Sequence, residues 1–232
     1  MTVSPPVSAS RSLIGRRRFL QMTALAAGSS TIGAGLSRTA FAKAAPQQLT
    51  LNPQDQQDVD RIEQYLNDLG SVEARFQQYS TNGGLVFGKI YLRRPGRLRV
   101  EYDPPSQVIL VADGIALSYY DAELNNLNQV PLNLSPMWFL LKDKVNLNGK
   151  DVTLTSFKRA PGAFQVGLVQ TDEPDAGSVV LEFGDHPLEL RQWTVTDNKN
   201  QQVQVGLYDA RFGVQLANDL FATPKKTTKK RN

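Results

Sequence analysis

Apolar and charged positions alternate one for one at residues 97–102, where Leu98, Val100 and Tyr102 interleave with Arg97, Arg99 and Glu101. A period of two with one apolar and one charged face predicts a half-buried antiparallel strand. Pro95-Gly96 ends the run before it, since proline lacks the ladder N–H and glycine accepts positive φ, so the strand holding Tyr91-Leu92-Arg93 turns back there. Asp113-Gly114 lies between the apolar runs 108–111 and 115–119, and predicts a second tight hairpin of type I′.

A different period precedes this meander. Asn52-Pro53, then Asp55 and Asp58, read as a helix start: a capping side chain, proline in the first turn, and acids near the positive end. Val59, Ile62, Leu66 and Leu69 follow at helical spacing, and Gly70 is expected to close the helix. From Val72 the pattern returns to alternation, and Asn82-Gly83-Gly84 turns the chain into a strand with Leu85, Phe87 and Tyr91. Further strands are predicted at 127–132, 152–159, 164–170, 179–183, 190–196 and 203–212, separated by turn residues such as Pro161-Gly162 and Asp185-His186-Pro187. One segment interrupts them, Ser135-Pro136-Met137-Trp138-Phe139-Leu140-Leu141, which predicts a short helix apolar almost all round. Regularly spaced strands with turn signals predict a curved or barrel-like antiparallel sheet.

Composition changes this picture at the ends. Residues 1–42 hold Arg11, Arg16, Arg17, Arg18 and Arg38, no acid, and a mildly apolar stretch at 19–35. That is the make-up of an export leader, and Arg16-Arg17-Arg18-Phe19-Leu20 fits the twin-arginine pattern, with a cut expected after Ala42. The remaining divisions are a linker at 43–54, one folded body at 55–224, and a basic tail at 225–232 expected to be disordered. Five of the 26 basic residues lie in the leader and five in the tail, leaving 16 basic against 22 acidic between 43 and 224, a balance of −6. A mildly acidic body offers no broad footprint for nucleic acid. The tail lysines fit either contact with anionic lipid or simple solvation. With no cysteine the body depends on its core alone. His186 is the only histidine, so histidine-based triads and histidine-rich metal sites lack material, and neither an enzyme nor a cofactor is expected.

The order helix, strands, short apolar helix, strands resembles the outer-membrane lipoprotein carrier (LolA-type) family of periplasmic chaperones. The likeness rests on Arg94-Pro95 before the alternating strand 98–102, on Pro105, Asp113-Gly114 and Tyr120-Asp121, and on Trp193-Thr194-Val195-Thr196-Asp197 and Leu220-Phe221-Ala222-Thr223-Pro224 near the end. It implies a mainly β (α+β) fold, an incomplete antiparallel β-barrel whose concave apolar face is closed by a helical lid. It implies also a periplasmic monomer that takes up the acyl chains of lipoproteins, receives them from an inner-membrane ABC-type release complex, and passes them to an outer-membrane receptor lipoprotein. A lipid or lipoprotein sensor on the same scaffold is the alternative.

On that resemblance the ligand face is expected at Phe87, Tyr91, Leu98, Val100, Tyr102, Leu110 and Tyr119, with an ordinary filled core as the other reading of the same positions. The lid is expected from Val59, Ile62, Leu66 and Leu69 of the first helix and from Met137, Trp138, Phe139 and Leu140 of the second. Arg94 is expected to latch it by bonding lid carbonyls, the alternative being a strand-end arginine paired with water or Glu101.

Overall fold

The computed structural model describes residues 46, 48–81, 83–135 and 137–225. The leader with its cleavage site, Asn82, Pro136 and the tail beyond Lys225 lie outside them. Helix α1 spans Pro53–Asp68. Its N-cap forms as the residue types require: the Asn52 side chain accepts from the Asp55 N–H at 2.9 Å, and Pro53 occupies the first position. The C-cap is Leu69, whose N–H reaches the Tyr65 carbonyl; Gly70 follows as part of the turn and accepts from the Arg94 N–H at 2.8 Å.

Eleven strands then form one antiparallel sheet: β1 (Ser71–Ser80), β2 (Gly84–Arg93), β3 (Arg97–Tyr102), β4 (Val108–Asp113), β5 (Ala116–Asp121), β6 (Asn126–Pro131), β7 (Val152–Ala160), β8 (Ala163–Gln170), β9 (Gly177–Gly184), β10 (Glu189–Asp197) and β11 (Gln202–Phe212). The spatial order is β6-β5-β4-β3-β2-β1-β11-β10-β9-β8-β7. Two meanders therefore join through the β1–β11 pair, which brings the start and the end of the body together at the centre of the sheet. The sheet is open: β6 and β7 stand at its edges and do not pair, so the expected incomplete barrel is a curved sheet and not a closed barrel. Bulges at Glu73/Arg75, Leu190/Gln192 and Leu154/Ser156 add local twist and bend.

Two turn details depart from expectation. The β4–β5 hairpin has positive φ at Gly114 only, the first of its two central residues, which is the type II′ pattern; type I′ would put Ile115 there as well, which a β-branched side chain resists. Asp113 stabilises this turn directly, its Oδ1 accepting from the N–H groups of Ile115 and Ala116 at 2.9 Å each. The expected short helix at 135–141 is a single 3₁₀ turn, Trp138–Leu141, preceded by another at Leu132–Leu134.

Candidate ligand-binding site

Residues directly opposite each other in a ladder share a face of the sheet, so the register alone builds the concave surface. One row runs Leu92, Leu98, Ala112, Leu117, Val130 from β2 to β6. The next runs Ile90, Val100, Leu110, Tyr119, Asn128. Across β1 and β11 the same face continues through Val72, Ala74, Phe76 and Val205, and on β10 to β7 through Trp193, Leu181, Val166 and Phe157. The apolar stripe is continuous from edge to edge.

Its cover is not. On the β7–β10 wing, Val59, Ile62 and Leu66 of α1, Phe139 and Leu140 of the expected lid, and Val145 and Leu147 after it pack with Leu154, Phe164, Val166, Leu168, Val179, Leu181 and Phe183 in one buried cluster. On the β3–β6 wing, Leu98, Val100, Tyr102, Leu110, Leu117, Tyr119 and Val130 are all only half-buried. A second buried cluster around Leu69, Val72, Phe76 and Ile90 separates the two, with Leu98, Val100 and Tyr102 leaning on its edge. There Gly88 lies opposite Tyr102 and lets the Phe76 ring meet the Tyr102 ring edge-on at 5.4 Å; a Cβ on residue 88 would stand 2.5 Å from that ring. The Tyr102 hydroxyl donates to Gln78 Oε1 at 2.8 Å, and burial raises its pKa far above the usual phenol value.

Five of the seven expected ligand-face residues, Leu98, Val100, Tyr102, Leu110 and Tyr119, thus stand together on the open wing. Phe87 and Tyr91 do not join them. Register places Tyr91 opposite Arg99 on the convex face, and Phe87 shares its parity, 41% exposed. The reason is that β2 is apolar on both faces, with Leu85, Phe87 and Tyr91 on one and Val86, Ile90 and Leu92 on the other, so alternation within β2 leaves the choice undetermined.

The expected lid residues of α1 are buried, Ile62 and Leu66 fully. This helix is also tied down by charge: Asp58 accepts from Arg61 at 2.8 Å and from Arg159 of β7, which also pairs with Asp55, while Arg61 reaches Asp185 at 3.2 Å. The hydrogen bonds that the two arginines donate to these carboxylates raise the pKa of both. Two further α1 side chains hold the chain after the lid: Asn67 pairs both ways with the Val145 backbone at 2.9 Å, and Glu63 accepts from the Leu147 N–H at 2.9 Å. In the expected lid segment Phe139 and Leu140 are buried, Met137 and Trp138 half-buried, and Lys142 sits over the Trp138 ring at 4.7 Å.

The strand-end turn does contact the expected lid segment, through a backbone group that the sequence does not single out. The Gly96 N–H donates to the Leu141 carbonyl at 2.7 Å, and Gly96, at φ 76°, also packs on Gly114, where a Cβ would lie 2.7 Å from the Gly114 Cα. Among the described residues Arg94 makes none of the carbonyl bonds expected of it. Its Nε, Nη1 and Nη2 are buried without a hydrogen-bond partner, as are Trp138 Nε1 and Asn128 Nδ2. Burial lowers the Arg94 pKa, and the Asp143 carboxylate is the charge that acts against this. A buried donor left unbonded costs about 1–3 kcal/mol, and more when charged.

The convex face of β3 and β4 is covered by the segment around Phe221, while Leu85 and Phe87 of β2 stay exposed on that side. Arg93 donates to the Leu216 carbonyl at 2.5 Å and stacks on Phe221, Arg99 donates to the Leu220 carbonyl at 3.2 Å, and Phe221 is buried. The open apolar surface of this wing is therefore the concave one.

A family model described as outer membrane lipoprotein carrier protein LolA matches residues 67–224. An outer-membrane lipoprotein carrier protein of Coxiella burnetii (strain CbuK_Q154) is 26% identical over 177 residues, which cover 69% of this chain and 80% of the relative. Another, from strain RSA 331 / Henzerling II, is 28% identical over 126 residues, 52% of this chain and 54% of the relative, so this match spans about half of that protein. The crystal structure of a LolA superfamily protein from Nitrosomonas europaea aligns with a TM-score of 0.41 at 9% identity, over 71% of this chain and 97% of that one.

Proposed function

Because the chain belongs to the outer membrane lipoprotein carrier protein LolA family, we propose that it binds the acyl chains of lipoproteins on the open wing of its concave face and carries them across the periplasm. One observation supports this reading above the others: an apolar surface spanning four strands, Leu98, Val100, Leu110, Leu117, Tyr119 and Val130 among its residues, that the chain's own core leaves only half-buried. A contiguous apolar surface that the fold covers only in part is what a binding site for a long alkyl chain requires.

The energetics set the task. A triacylated lipoprotein holds roughly 45 methylenes, and at about 0.8 kcal/mol each their exposure to water costs on the order of 30 kcal/mol. Free diffusion is negligible, so the cargo must move from one apolar surface to the next. In this account the lid is the segment around Met137, Trp138, Phe139 and Leu140, hinged against the Arg94-Pro95-Gly96 turn by the Gly96–Leu141 bond, while α1 with Val59, Ile62, Leu66 and Leu69 is a fixed plug held by Asp58 and Arg159. Loading would come from an ABC-type release complex in the inner membrane and delivery would go to a receptor lipoprotein in the outer one. Export by the twin-arginine leader would place the chain between them.

Depletion of the protein tests the reading. Outer-membrane lipoproteins then accumulate at the inner membrane; unchanged sorting overturns it. Recovery of a sterol-like lipid from the purified protein, with no transfer of acylated protein, would point instead to a lipid-binding sensor.

A further inference from the structure

Every buried side-chain nitrogen that lacks a partner among the described residues belongs to one of three side chains: Arg94, Asn128 and Trp138. All are donors, and all lie on pieces that flank the lid end of the open wing. Arg94 is in the β2–β3 turn, two residues before the Gly96 whose N–H holds the lid at Leu141. Trp138 opens the 3₁₀ turn that ends in Leu141. Asn128 stands on the concave face of β6 opposite Tyr119, and β6 runs directly into the lid segment through Leu132, whose N–H bonds the Ile115 carbonyl at 3.0 Å. Leu98, Leu110 and Leu117 on the same face offer no acceptor, and Tyr119 opposite Asn128 presents a phenol hydroxyl.

Unpaired buried donors are rare because they weaken a fold, so a group of them beside an apolar surface needs a reason. We infer that Arg94, Trp138 and Asn128 form a site for the carbonyl oxygens at the head of a fatty acyl chain, which the alkyl tail on the open wing would deliver to them. The inference rests on the acyl-carrier reading and adds what that reading does not require, recognition of the polar end of the ligand. A hydrocarbon surface alone grips any long chain equally. Donors with no other partner discriminate sharply, since a ligand that lacks the acceptor leaves them unbonded. The acyl oxygen could belong to a glyceryl ester or to a free carboxylate.

The test uses the full mature chain and three probes of one chain length: monolauroylglycerol, lauric acid, and 1-O-dodecylglycerol, an ether without a carbonyl. Their binding is measured by displacement of a fluorescent apolar dye. Monolauroylglycerol or laurate is expected to bind at least about tenfold tighter than the ether, the loss of one or two hydrogen bonds, and whichever gains more identifies the source of the oxygen. In Trp138→Phe and Asn128→Leu, which remove a donor but keep an apolar body, this ratio should fall severalfold toward unity, while thermal stability holds or rises because an unsatisfied donor has gone. A merely structural role predicts the reverse, lower stability with the ratio intact. Equal binding of all three probes by the wild type overturns the carbonyl site and leaves the carrier reading standing. Binding of none overturns both.

Discussion

The two wings of this sheet are built alike and covered differently. Both present an apolar concave face at period two. On β7–β10 that face is sealed by Ile62 and Leu66 of α1 and by Phe139 and Leu147, down to no exposure at Leu154, Val166 and Leu181. On β3–β6 no residue joins that buried cluster, Tyr65 of α1 reaches no further than the second cluster, at whose edge Leu98, Val100 and Tyr102 lie, and Leu98, Leu110 and Tyr119 stay half-buried. The lesson is that amphipathic strands do not distinguish a core from a binding surface; what packs on them does. Here one helix covers one wing, and its ion pairs to Arg159 and Asp185 lie on that wing.

The largest test of the contrast is paired truncation. Leu181→Ala in the sealed wing should cost about 3 kcal/mol in urea unfolding, the range for a large-to-small change in a packed core. Leu110→Ala in the open wing should cost less than about 1 kcal/mol while weakening acyl binding. Equal costs would erase the distinction. At the seam, Gly88→Ala should destabilise by about 2 kcal/mol, because the new methyl meets the Phe76 ring and the Glu101 carbonyl. Asp58→Asn, which loosens the plug helix, should cost about 1 kcal/mol at low salt and less at 1 M NaCl, where the Arg61 and Arg159 pairs are screened. The smallest effect belongs to the open wing's hairpin tip. The Ile115 and Ala116 N–H groups hold the Asp113 pKa below its ordinary value of 3.8. A depressed carboxylate stabilises the fold above the unfolded value and loses that contribution as pH falls through the folded one. Asp113→Asn should therefore be about 0.5 kcal/mol less stable at pH 7, with the difference vanishing in acid below the usual carboxylate range.

Most of the architecture was legible because it depends on local signals. The cap at Asn52, the 3.6-residue spacing from Val59 to Leu66, and strict alternation in β3 each determine an element without help from distant residues. The single sheet order, with β1 beside β11, depends on contacts across more than a hundred residues and was not. For the site, Leu98, Val100, Tyr102, Leu110 and Tyr119 could be grouped from one alternating run, but Phe87 and Tyr91 could not, since β2 is apolar on both sides and only its pairing with β3 determines which side is concave. The turn–lid bond escaped notice for a chemical reason. It uses the backbone N–H of Gly96, which every residue but proline carries, whereas the Arg94 side chain, the distinctive chemistry of that turn, makes no hydrogen bond among the described residues.

The central claim, that acyl chains lie on the β3–β6 wing and not within the β7–β10 core, is tested most directly by photocrosslinking. A palmitoylated peptide with a diazirine along its chain would be loaded onto the protein, irradiated, and mapped by mass spectrometry. Adducts are expected on Val100, Leu110, Leu117 and Tyr119. Adducts concentrated on Leu154, Val166, Leu181 or Phe183 would contradict the account.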